Sequence, residues 1–100
     1  MSIDDEIRRG QYAGQVLENP VFKQACDVLL TELVTAWADC PARDTEGKEY
    51  YWQLYKNTQK FINIFKGYLE SGKLAKMKYE EEQSRLQAMQ EKVTKFIRRK

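Results

Sequence analysis

A chain of 100 residues with 42% hydrophobic and 32% charged side chains, five glycines and two prolines is sized for one small domain and composed for helices, with few breakers for a multi-stranded sheet. No apolar run reaches the roughly 18 residues of a membrane span, and the acidic opening MSIDDEIRRG is not a signal peptide, so a cytoplasmic protein with no membrane partner is expected. Histidine is absent and Cys26 and Cys40 stand fourteen residues apart, which excludes the usual zinc site and the commonest general base; no metal, no cofactor and no enzymatic activity are expected, and two free thiols are favoured over a disulfide.

The net charge of +2 is unevenly spread. Residues 1–49 carry ten acids against five bases, a balance of −5, whereas residues 72–100 carry nine bases against four acids, a balance of +5. Such an end-to-end polarity can orient self-association or draw the tail to an anionic partner.

In chain order, Ser2 or Asp4 can cap a short first helix that runs to about Glu18, with Ile7, Ala13, Val16 and Leu17 on its apolar side and Tyr12 at the edge. Asn19-Pro20 is a turn signal, and Pro20 is pre-set for the first turn of a new helix. The second helix, VFKQACDVLLTELVTAWADC, sets Phe22, Cys26, Leu29, Leu33 and Trp37 at steps of three or four, which predicts a core-facing stripe with Trp37 in the core. Pro41 breaks it, and Asp44 or Thr45 can cap the next helix.

The third helix is expected from about Glu46 to Ser71, with Gly72 as a left-handed C-terminal cap. At about 100° per residue, Leu54, Thr58, Phe61, Phe65 and Tyr68 cluster with Tyr50, while Tyr55 and Trp52 depart from that face, so the apolar arc covers about 240°. This places Tyr50 and Tyr51 on the intramolecular face and Trp52 and Tyr55 on an interface. A fourth helix, from Lys73 to about Arg99, carries Tyr79, Leu86, Met89, Val93, Phe96 and Ile97 on a stripe narrow enough for a coiled-coil seam, interrupted by Glu82. The expected organisation is thus a helical core over 1–72 and a basic amphipathic helix over 73–100.

Tryptophan and tyrosine give large contact area at low entropy cost, which makes Trp52 and Tyr55, with the Tyr79, Leu86, Met89, Val93 and Phe96 seam, the candidate interface; a second copy of the chain is the commonest partner for such a surface. Lys92, Lys95, Arg98, Arg99 and Lys100 form a basic end that is a dipole-compatible helix terminus first, and a contact for DNA or an acidic protein second. The segment SGKLAK lacks the preceding glycines and strand of a phosphate loop, and Asp4, Asp5 and Glu6 sit where acids stabilise a helix start.

Arg9-Gly10, the Leu17 to Pro20 turn, the helix ending at Trp37, Ala42 to Asp44, and Gly72 to Ala75 together form a pattern that resembles a set of small proteins encoded by tailed bacteriophages. It covers about three quarters of the chain; the remainder matches only as a charged helix. The resemblance implies a small helical protein encoded near head and packaging genes, located in the host cytoplasm or the virion, and it carries over no catalytic residues. The combined expectation is an all-α protein: a short N-terminal helix, an antiparallel helical hairpin and a long C-terminal helix, assembled as an oligomeric bundle. It would act without enzymatic chemistry in virion head assembly or DNA packaging, as a head component or small-terminase-like adaptor. The alternative is a counter-defence or host-takeover protein that inhibits a host enzyme or sequesters a nucleotide signal; a nucleic-acid-binding regulator is a third reading.

Overall fold

Three helices account for the secondary structure of residues 1–98, the part of the chain that the computed structural model describes: α1 (Ile3–Glu18), α2 (Pro20–Asp39) and α3 (Thr45–Arg98). The protein is all-α over these residues. Each helix start is capped from the sequence. Ser2 Oγ accepts from Asp5 N at 3.2 Å, and three acids occupy the first turn of α1. Asn19 serves two helices at once: its N–H donates to Val16 O at 3.2 Å to close α1, while its Oδ1 accepts from Val21 N at 2.9 Å and Phe22 N at 3.1 Å to open α2. With Pro20 at the first helical position, one residue suffices to join the two helices. Cys40 and Pro41 end α2, and Asp44 Oδ1 accepts from Gly47 N at 3.0 Å to begin α3.

The 54 residues of α3 span about 81 Å at 1.5 Å per residue, which accounts for nearly all of the molecule's 86 Å length. A radius of gyration of 23.6 Å, against about 13 Å for a compact chain of this length, makes the protein a rod rather than a globule. The helix end expected at Gly72 does not exist: α3 runs unbroken through it, and no glycine in the described residues has a positive φ. The expected third and fourth helices are one.

Gly72 is used for space instead of for a turn. A Cβ built on it would stand 2.8 Å from the Cα of Gly10, and one built on Gly10 would stand 2.8 Å from the Cα of Gly72 and 2.9 Å from the Tyr68 carbonyl oxygen. Two helices approach this closely only where side chains are missing. Ala13 on α1 and Ala75 on α3, 4% and 5% exposed, extend the same small-residue contact, and the Arg9 guanidinium lies 4.0 Å from the centre of the Tyr68 ring. α1 thus docks on the middle of α3. Its position against the chain direction follows from Gly14 beside Leu69 and Glu6 beside Gly72.

α2 lies along the first half of α3. Phe22 meets Phe65 edge to face with centroids 5.6 Å apart, and at the other end Lys48 Nζ donates to the Trp37 carbonyl at 3.0 Å. Phe22, Cys26, Leu30 and Leu33 face α3, with Leu33 buried. Leu29, expected on this stripe, is instead exposed, because the contact face is centred nearer Leu30. Trp37, expected in the core, is 42% exposed: it stands at the last turn of α2, where only one neighbouring helix is there to cover it. Tyr50 is also corrected; it is 61% exposed and packs its ring against Tyr51 rather than into the interior.

Candidate interaction surfaces

A two-layer rod cannot surround its own apolar residues, and two surfaces collect those left over. The first is a cleft near the loop end. Trp52 and Tyr55 stack with rings 12° from parallel and centroids 6.1 Å apart. Together with Tyr51 of α3 and Leu33, Val34 and Trp37 of α2 they enclose an apolar cleft of about 220 Å³. Two lysines border it: Lys48 Nζ lies 4.2 Å from the Trp37 ring centre and Lys56 Nζ lies 5.1 Å from that of Trp52. Cation–π attraction holds both ammonium groups over the indole faces.

Trp52 and Tyr55 therefore occupy the flank facing α2, with Trp52 44% exposed and Tyr55 half-buried. The sequence reading sets them apart from the Tyr50 face and expects them outside the intramolecular contact, whereas here they lie against α2 and Tyr50 is exposed. Their meeting with Trp37, Leu33 and Val34 was not legible in the sequence, because it depends on how α2 rolls against α3. Nothing in the sequence marks Lys48, and Arg9 enters only through the Arg9-Gly10 pattern; both act through an aromatic ring on another helix, a relationship no local spacing reveals.

The second surface is the free end of α3. Beyond Ala75 the helix continues for more than twenty residues with every side chain exposed. Tyr79, Leu86, Met89, Val93, Phe96 and Ile97 are between 43% and 65% exposed and recur on one stripe. Lys92, Lys95 and Arg98 stand on the same end, exposed and three residues apart along one side of the helix, while Arg99 and Lys100 lie outside the described residues.

Among the described residues no three of the cysteines and carboxylates come together in a way that could hold a metal ion, and no helix is long and apolar enough to cross a membrane. Both cysteines are free thiols. Comparison of the chain with models of known protein families, with curated proteins and with solved structures returned no match.

Proposed function

We propose that the protein is a non-enzymatic assembly component that works through helix–helix contacts with further copies of itself, and through those with other proteins. One observation supports this above all: of the hydrophobic residues in the described chain only Ala13, Leu33 and Ala75 are buried, while Trp37, Trp52, Phe61, Leu86 and Phe96 stay at 42% or more exposed. A helix with an apolar stripe left in water gains most of its stability only when a partner covers that stripe. The phage-like sequence pattern supplies the setting: virion head assembly or DNA packaging, as a head component or small-terminase-like adaptor, in which an oligomeric bundle brings the basic ends of α3 to DNA or to an acidic partner.

Molar mass by light scattering tests this on the full chain and on one ending at Lys78, which keeps the buried Ala75. A defined oligomer that the truncation reduces to a monomer is the expected result; a full chain that stays monomeric at tens of micromolar defeats the reading.

A second reading is favoured by the aromatic cleft. Two indoles, two tyrosines and two bordering lysines suit an anionic aromatic ligand such as a nucleotide, in a protein that disarms a host enzyme or signal. Quenching of tryptophan fluorescence by a panel of nucleotides, abolished in Lys56→Glu, would move this reading ahead.

A further inference from the structure

Resting on the reading of the protein as a homo-oligomer, we infer that the free end of α3 pairs with the same segment of a second copy running in the opposite direction. Tyr79, Glu82, Leu86, Met89, Val93 and Phe96 fall three and four residues apart in turn, the alternation of a two-stranded seam. The sole charge on that seam is Glu82. It decides the direction of pairing.

In a parallel pair each seam residue meets its own copy, so two Glu82 carboxylates would face one another in the same layer, with no cation on the seam to separate them. In an antiparallel pair centred between Leu86 and Met89, those two residues meet each other and Glu82 comes opposite Val93. Lys92, adjacent to Val93 on the edge of the stripe, then lies next to the partner's carboxylate, and Arg85, one turn after Glu82, approaches it from its own helix. Arg85 and Lys92 share that edge, and the carboxylate falls between the two cations. The seam's one polar position is neutralised in one orientation and doubled in the other.

Charge along the segment agrees. Glu80, Glu81 and Glu82 cluster at its start and Lys92, Lys95 and Arg98 at its end, so reversal sets acid against base where parallel pairing sets like against like. The start of the segment also lies beside the first turn of α1, which carries Asp4, Asp5 and Glu6, because Glu6 packs at Gly72 and α1 runs against α3. An arriving antiparallel tail would bring Lys95 and Arg98 alongside that acidic turn and the positive end of the α1 dipole beside the negative end of its own helix.

The direction is read by a spin-label distance in the full chain. With Cys26→Ala and Cys40→Ala, a nitroxide on Lys73→Cys, on the face away from the seam, has its twin about 45 Å away along the axis in the antiparallel pair and level with it in the parallel one. Charge exchange gives an independent answer in chains with native cysteines. Glu82→Lys weakens the antiparallel dimer about tenfold or more, and Lys92→Glu added to the same chain restores it; in a parallel pair the second change restores nothing. A dimer with a short label distance, or one that Lys92→Glu does not rescue, overturns the antiparallel pairing while leaving the oligomeric reading intact, and a monomer overturns both.

Discussion

A Cβ placed on Gly10 would stand 2.8 Å from the Cα of Gly72, and the relation is the same with the residues exchanged. The atom in the way is backbone, so relief requires the helices to part. Gly10→Ala and Gly72→Ala are each expected to cost about 2 kcal/mol of stability by overpacking, although alanine is the better helix former by about 1 kcal/mol. Gly67→Ala, where an added Cβ meets nothing within 4 Å, is expected to gain about 1 kcal/mol. Urea midpoints of the three variants check this, and equal gains in all three would show that the crossing is loose.

Asn19 holds the end of one helix and the start of another through four hydrogen bonds of 2.9 to 3.2 Å, two from its backbone and two to its side chain. Its backbone contribution survives substitution and its side-chain contribution does not. Asn19→Ala is expected to cost about 1 kcal/mol, and Asn19→Asp to cost less than half as much, since aspartate also accepts from the first turn. Thermal melts followed by circular dichroism separate the two.

Lys48 is expected to matter more than its partial exposure implies, because its ammonium both donates to the Trp37 carbonyl at 3.0 Å and covers the Trp37 ring at 4.2 Å. Lys48→Met should cost about 1 kcal/mol and shift tryptophan emission as the last turn of α2 loosens. Lys56→Met, which removes a single contact at 5.1 Å from the Trp52 ring, should move neither by half as much. If Lys56→Met has the larger effect, the loop end is held by Trp52 instead.

Cys26 and Cys40 ride on and just beyond one straight helix, which separates them by about 21 Å. A disulfide requires Cα atoms within about 7 Å. Thiol titration of the native protein should find two free groups per chain, and any oxidised product should be a cross-linked oligomer; a monomeric disulfide would mean that α2 melts.

The ends of α1 and α2 were legible because they rest on local chemistry: Ser2, Asn19-Pro20, Cys40-Pro41 and Asp44 each satisfy or forbid a particular backbone hydrogen bond. Gly72 was not. A glycine after a long helical run is equally suited to a left-handed cap and to a close crossing, and only the partner, Gly10, sixty-two residues earlier, decides between them. Trp37 and Tyr50 were misplaced for a related reason. Periodicity identifies a face but not how much of it a neighbour covers, and at the loop end of this rod α2 and α3 have only each other to pack against. The spacing of the stripe from Tyr79 to Phe96 predicts a seam, and its apolar residues are 43% to 61% exposed, with no other helix of the chain packed on them.

The unbroken α3 gives the Gly10–Gly72 crossing a mechanical meaning. From Gly72 to Arg98 the helix extends about 39 Å without a hinge. Whatever is attached at the far tip is on a lever whose fulcrum is a pair of hydrogen atoms: a change of about 10° in the angle between α1 and α3 would carry the tip through about 7 Å. Small adjustments where no side chain stands in the way are thereby converted into displacements the size of a side chain at the other end.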